Sequence, residues 1–214
     1  LWRTHSMNQP NWKTAVRNAM REKASQQEKR KKGDAAFSYR WEHVHAVVKV
    51  ANKLAALTGA DADVIEAAAW LHDICKEAKD RHPQEGAKFA RRFLPTTDFP
   101  IDKVHNVALA IEDHMGLWRD EPLRSLESQV LWDADKLTKI GITAAVHWMG
   151  GDFTRRRLAS TEALIARLQS ADWRHKTVAS MHTAPAKRAA QSRFEAYDQM
   201  LAQLSAEWDA QDIV

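Results

Sequence analysis

The sequence predicts an all-α protein, and three observations carry that prediction. Seven glycines and six prolines make 13 turn-favouring residues in 214, about half the usual density of roughly 12%, so the chain lacks the turns that an all-β fold requires. Apolar residues recur at i, i+3, i+4 and i+7 along most of its length, which is the period of an amphipathic helix. The apolar fraction of 44% fills one sizeable core.

Residues 10–32 are polar and helix-favouring, with Trp12, Val16 and Met20 as a thin apolar stripe at four-residue spacing, and Gly33-Asp34 ends them. From His43, the residues Val44, Val47, Val48, Ala51, Leu54 and Ala55 trace one helix face, stopped at Thr58-Gly59 by a C-cap. Asp63 with Glu66 three positions on has capping-box spacing and opens a helix over 63–74. That helix is apolar nearly all round, which assigns it to the middle of a domain, and it delivers His72-Asp73 to the interior. Pro83 suits the first turn of a helix running to about Leu94. A loop over 94–100 precedes a helix from Ile101 to His114. After a second loop, 115–125, the pattern predicts one long helix over 126–148 with Gly141 inside it and Gly150-Gly151 as the break that follows. Residues 155–173 and 185–208 read as two last helices, the second with Phe194, Tyr197, Met200, Leu201 and Leu204 on its apolar face.

No run approaches the roughly 18 consecutive apolar residues of a membrane-spanning helix, and the basic, polar start argues against a secretory signal. One cysteine, Cys75, makes no internal disulfide and no cysteine-rich zinc site, so a reducing cytoplasm is the expected setting. A net charge of +4 and a pI near 9.2 suit an anionic ligand. The basic arm, from Arg21-Glu22-Lys23 to Lys29-Arg30-Lys31-Lys32, reads as a solvated helix, since no DNA-binding motif stands beside it.

The chemistry is sought among ten histidines. On a helix His45 points about 200° away from His43, and His105 about 180° away from His114, so each pair sends one member to a common centre. His43 begins an apolar stripe and His114 follows Ile111 by three, which makes those two the inward members. With His72-Asp73 and Asp133-Ala134-Asp135 they supply imidazole and carboxylate from several helices, a donor set that suits a divalent metal with positions left open for water. A buried aspartate without a cation would be costly. Asp133 and Asp135 lie about 200° apart, so only one faces such a site, and the helical wheel leaves the choice open. Lys76 returns, on a continuing helix, to within about 60° of Asp73, from where its ammonium reaches a phosphate. Arg40 is a second candidate of this kind. Arg155-Arg156-Arg157 reads as a solvated helix start, where cations oppose the dipole unless water or an anion such as a polyphosphate is near.

The order His43, His72-Asp73, Asp135 resembles the H…HD…D signature of the HD superfamily of metal-dependent phosphohydrolases. The matching stretches are His43-Val44-His45-Ala46-Val47-Val48-Lys49-Val50-Ala51, Ala67-Ala68-Ala69-Trp70-Leu71-His72-Asp73-Ile74-Cys75-Lys76 and Asp133-Ala134-Asp135-Lys136-Leu137. The resemblance implies an all-helical HD-domain bundle with additional N- and C-terminal helices. It implies a divalent ion (Mn, Mg, Fe, Co, Ni or Zn) on His43, His72, Asp73 and Asp135, with Asp133 as the alternative to Asp135. Met181-His182-Thr183-Ala184, Ala189 and Arg193-Phe194 through Glu207-Trp208 are similar to the tail of small stand-alone bacterial HD hydrolases, some of which cleave nucleoside triphosphates. Two positions depart from the pattern: Cys75 where the family often has glycine, and Thr138 where that branch usually has aspartate. His82-Pro83-Gln84-Glu85-Gly86-Ala87 and Ile111-Glu112-Asp113-His114-Met115-Gly116 resemble segments that supply extra ligands in two-metal HD phosphodiesterases, so His82 and His114 are candidates for a second metal. The glycine-rich sequence that completes the cyclic-dinucleotide phosphodiesterase signature is absent after His114.

On this resemblance the chain divides into a basic N-terminal helical extension (1–34), an HD metal-binding core (35–150) and C-terminal helices packed on it (151–214). The implied activity is hydrolysis of a nucleotide or other small phosphate ester through a metal-activated water. Asp73, Lys76 and His114 are the implied catalytic residues; Arg40, Lys76, His82 and Arg155 are the implied substrate contacts. The alternatives are a catalytically weak HD module that binds a nucleotide for regulation, a two-metal cyclic (di)nucleotide phosphodiesterase, and a nucleic-acid-binding protein using the basic arm. The expected partner is a small phosphorylated substrate, with no membrane and no nucleic acid.

Overall fold

The computed structural model describes residues 9–29, 37–154, 160–170 and 173–213. Among them are ten α-helices and no strand: α1 (Trp12–Lys29), α2 (Tyr39–Thr58), α3 (Ala62–Leu71), α4 (His82–Phe93), α5 (Val104–Asp113), α6 (Leu126–Leu137), α7 (Ile142–Thr154), α8 (Thr161–Gln169), α9 (Arg174–Ala179) and α10 (Ala184–Trp208). The all-α expectation holds.

The bundle is organised around α3, whose Val64, Ile65, Ala67, Ala68, Ala69, Trp70 and Leu71 are all buried. A helix apolar on every side has to be surrounded, and α1, α2, α5 and α6 pack against it. The alanine run keeps it thin. Against α5 and the end of α3, α4 packs in close approach at Gly86, where a Cβ would stand 3.2 Å from Ile111 Cγ2 and 3.6 Å from Leu71 O. The stripe Trp12, Val16, Met20 and Ala24 of α1 is buried in the same core. Its polar side is tied down as well, by Lys13 to Glu66 at 2.8 Å and Gln27 to Glu77 at 2.9 Å. The described part of the basic arm is thus a docked helix, and residues 30–34 lie outside the described residues. A second, smaller cluster of Ala145, Leu168, Tyr197 and Leu201 joins α7, α8 and α10.

Several boundaries differ from the sequence expectation. The capping residue of α3 is Asp61, whose carboxylate accepts from the amides of Asp63 and Val64, while Glu66 turns outward to Lys13. The helix ends at Leu71, so His72-Asp73 sit in the turn that follows it. The predicted helix over 126–148 is two helices. Gly141 adopts φ +85°, a left-handed conformation that glycine tolerates, and Arg193 of α10 packs against it and donates to Leu137 O at 2.5 Å. Gly150-Gly151 break nothing and lie within α7, where Gly150 leaves room for the Phe37 ring. The segment expected as one helix over 155–173 contains α8, capped by Ser160, and residues 155–159 and 171–172 lie outside the described residues. The short α9 was not foreseen.

Candidate metal centre

Six ligand-type side chains meet where the ends of four helices converge on α2. His43 comes from the first turns of α2, His72 and Asp73 from the turn after α3, His82 from the first residue of α4, His114 from the C-cap of α5, and Asp135 from α6. All six are 4% exposed or less, so they are removed from bulk water and need partners in the interior. Two groups have ligand atoms within 4.8 Å of one another: His43, His72 and Asp135, and next to them Asp73, His82 and His114.

Asp73 lies between the two groups. Its Oδ2 is 3.7 Å from both His43 Nε2 and His72 Nε2, and its Oδ1 is 3.4 Å from His82 Nε2 and 3.7 Å from His114 Nε2. Three of the rings are oriented by a carbonyl three residues earlier. Nδ1 of His72 contacts Ala69 O at 2.8 Å, Nδ1 of His82 contacts Lys79 O at 2.5 Å, and Nδ1 of His114 contacts Ile111 O at 2.5 Å. A carbonyl only accepts, so each Nδ1 carries the proton and each Nε2 turns a lone pair inward. His82 Nε2 and His114 Nε2 face each other at 3.1 Å. His72 Nε2, Asp73 Oδ1 and Asp135 Oδ1 are buried without a hydrogen-bond partner. Imidazole lone pairs that converge beside two buried carboxylates suit a shared cation, and the donor set of imidazole nitrogen and carboxylate oxygen fits a divalent metal.

Charged groups surround the carboxylates. Burial alone would push the Asp73 carboxyl up, but Arg40, whose guanidinium contacts Oδ2, and its other cationic neighbours outweigh burial and hold it well below the ordinary range. Asp135 is likewise held low against its burial by Lys136 and Lys139. Burial pushes His43 down and His72 well down, and pushes His82 to about 4, with Lys76 adding to the effect at His82. The imidazoles are thereby kept neutral, which is the form that binds a metal.

Lys76 reaches the site by a different path from the one the helical wheel assumed. The chain has left α3 and runs in a 3-10 turn over 76–81, yet Lys76 Nζ lies 3.1 Å from Asp73 Oδ1 and 3.0 Å from His82 Nε2. Asp133 is turned away from the cluster. Its carboxylate accepts from the amides of His182 and Thr183 and from Thr183 Oγ1, each at 2.8 Å, and so fastens the start of α10 to α6. Its oxygens are engaged in that contact, and Asp133 belongs to neither of the two ligand groups. Arg155 lies outside the described residues.

Sequence reasoning passed over Lys136 and Lys139. Lys136 is fully buried, donates to His114 O at 2.7 Å and to Asp135 Oδ2 at 2.5 Å, and sits 4.2 Å from the centre of the Trp132 ring. Burial lowers its pKa to about 7 against the pull of Asp135. Lys139 approaches the same Asp135 oxygen at 2.7 Å, and the i, i+4 spacing of Asp135 and Lys139 was the available signal for it. Nothing in the local pattern distinguishes Lys136 from a surface lysine.

An all-helical bundle that brings imidazoles and aspartates from separate helices to one buried centre defines a class of metal-site proteins, and the comparisons give it a family. Residues 40–140 match the HD domain, the family whose H…HD…D order the chain resembles. Among solved structures, a predicted HD superfamily hydrolase from an uncultured Thermotogales bacterium is 25% identical, with 97% of this chain and 99% of that one covered and a TM-score of 0.64. Bacillus subtilis YpgQ in complex with ADP is 19% identical over 91% of this chain and 97% of that one, with a TM-score of 0.66. An HD-superfamily hydrolase from Bacillus thuringiensis is 19% identical over 94% of this chain and all of that one, with a TM-score of 0.63. Among curated proteins none matches. The fold of these structures thus extends over nearly the whole chain. No helix among the described residues is long and apolar enough to cross a membrane.

Proposed function

We propose that the protein is a metal-dependent phosphohydrolase that acts on a nucleotide or another small phosphate ester. The observation that carries this reading is the buried convergence of His43, His72, Asp73 and Asp135, with His72 Nε2 and Asp135 Oδ1 left without partners. These four side chains would hold the divalent ion. When bound there, such an ion supplies Lewis acidity toward a phosphoryl oxygen and makes water more acidic.

The chain's own residues account for the rest of the site. Arg40 and Lys76, both on Asp73, lie where they offset the charge of phosphate oxygens. His114 keeps its Nδ1–H on a backbone carbonyl, which leaves Nε2, turned into the centre, as the atom that exchanges a proton with a reacting oxygen. His82, packed beside it, is a substrate contact. A second reading, in which His82, His114 and Asp73 hold a second ion, is favoured by the facing Nε2 atoms 3.1 Å apart. A nucleotide substrate is in keeping with the ADP bound to the structurally similar YpgQ. The division into an N-terminal extension (1–34), metal-binding core (35–150) and C-terminal helices (151–214) belongs to the same proposal, as does a cytoplasmic setting.

The test is a screen of phosphorylated metabolites with Mn²⁺, Mg²⁺, Co²⁺ or Ni²⁺ added to the stripped protein. Metal-dependent release of phosphate or pyrophosphate from a member of the panel supports hydrolysis; binding of a nucleotide without turnover under every metal supports the regulatory alternative.

A further inference from the structure

The four imidazoles of the centre are oriented by two different devices. His72, His82 and His114 each place Nδ1 on a backbone carbonyl of the preceding turn, at 2.8, 2.5 and 2.5 Å. No side-chain substitution removes those acceptors. His43 instead places Nδ1 3.2 Å from the hydroxyl of Thr138, 95 positions away at the C-cap of α6. That hydroxyl has one proton, and it is spent on Asp135 O at 2.8 Å. Oγ1 therefore meets His43 Nδ1 as an acceptor, and Nδ1 must carry the hydrogen. The consequence appears across the ring, where His43 Nε2 turns its lone pair toward Asp135 Oδ1 at 3.2 Å and Asp73 Oδ2 at 3.7 Å. A lone pair facing two carboxylate oxygens is repulsive by itself and favourable around a shared cation.

From this we infer that Thr138 is a positioning residue that sets the tautomer of His43 and keeps its Nε2 ready for a metal. The chain Asp135 O, Thr138 Oγ1, His43 Nδ1 also ties ring orientation to the backbone that carries Asp135, so the two side chains from α2 and α6 are aligned by one hydroxyl. The inference rests on the metal reading for its purpose, and on the hydrogen-bond chain alone for the tautomer.

Thr138→Val, which keeps the shape and removes the hydroxyl, is compared with Thr138→Ser, which keeps the hydroxyl. In the metal-stripped full-length protein, ¹⁵N chemical shifts of the histidine rings report which nitrogen is protonated. The wild type and Thr138→Ser are expected to show His43 protonated at Nδ1, and Thr138→Val a mixture. Mn²⁺ affinity, read by chelator competition, is expected to weaken about 10-fold in Thr138→Val and to stay within about twofold in Thr138→Ser. An unchanged His43 tautomer in Thr138→Val overturns the inference, whether or not affinity falls, since a fall alone would mark a merely structural role. If the wild type binds no Mn²⁺, it is the metal reading that fails, and the tautomer comparison on stripped protein still decides the part played by Thr138.

Discussion

Asp133 and Thr183 are joined twice, by the amide and by the hydroxyl of Thr183, both on Asp133 Oδ2 at 2.8 Å. The pair marks the division of labour between two aspartates that are two residues apart on α6. Asp133 holds the protein together, and Asp135 faces the centre.

From that division follows an expected outcome for Asp133→Asn. The amide would set a donor against the N–H groups of His182 and Thr183, leaving buried donors unmatched. Destabilisation on the order of 3 kcal/mol is expected, a fall in Tm of roughly 10 °C, with Mn²⁺ content per folded chain unchanged. Thermal melts and elemental analysis of the same sample check both halves. Loss of the metal with little change in Tm would reassign Asp133 to the centre.

Lys76 offers no ligand to an ion as an ammonium, yet it lies within 3.1 Å of Asp73 Oδ1. Lys76→Met is therefore expected to keep the metal and to lower kcat/KM by about 100-fold or more, a loss of roughly 2.7 kcal/mol in transition-state stabilisation. Kinetics on whichever phosphate ester the screen identifies decides. Unaltered kinetics would reduce Lys76 to a bystander on Asp73.

The pH dependence of the metal-stripped protein has a definite sign. His82 titrates at about 4 in the fold against 6.5 in the unfolded chain, so between those values the unfolded state binds more protons. Stability then rises with pH, and it is lost as pH falls from about 6.5 toward 4. His43 and His72 are shifted in the same direction. Urea midpoints across this range should fall on acidification, and less steeply in His82→Gln. A flat wild-type profile would mean that these rings are not held neutral.

Much of this arrangement was legible in the sequence because it depends on local rules. The apolar encirclement of α3 placed His72 and Asp73 inside, and helical geometry chose His43 over His45 and His114 over His105; the structure buries His43, His72, Asp73 and His114 together. What was not legible depends on contacts between distant segments. Gly141 looked like a tolerated residue inside a helix, yet it stands at φ +85° between α6 and α7 with Arg193 from α10 packed against it. The wheel left Asp133 and Asp135 equivalent, since the choice is made by residues 182 and 183, some 50 positions away. Lys136 gave no sign at all, because its partners are the carbonyl of His114 and the face of Trp132.

The most direct test of the metal centre is the divalent-metal content of the untreated protein beside that of His72→Ala and Asp73→Ala, measured by elemental analysis on folded material. The account predicts at least one tightly held ion per chain in the wild type and its loss in both variants. A content near two that falls to near one in His82→Ala and His114→Ala would assign the second group as a second ion site. Metal content in His72→Ala and Asp73→Ala equal to that of the wild type would contradict the centre itself.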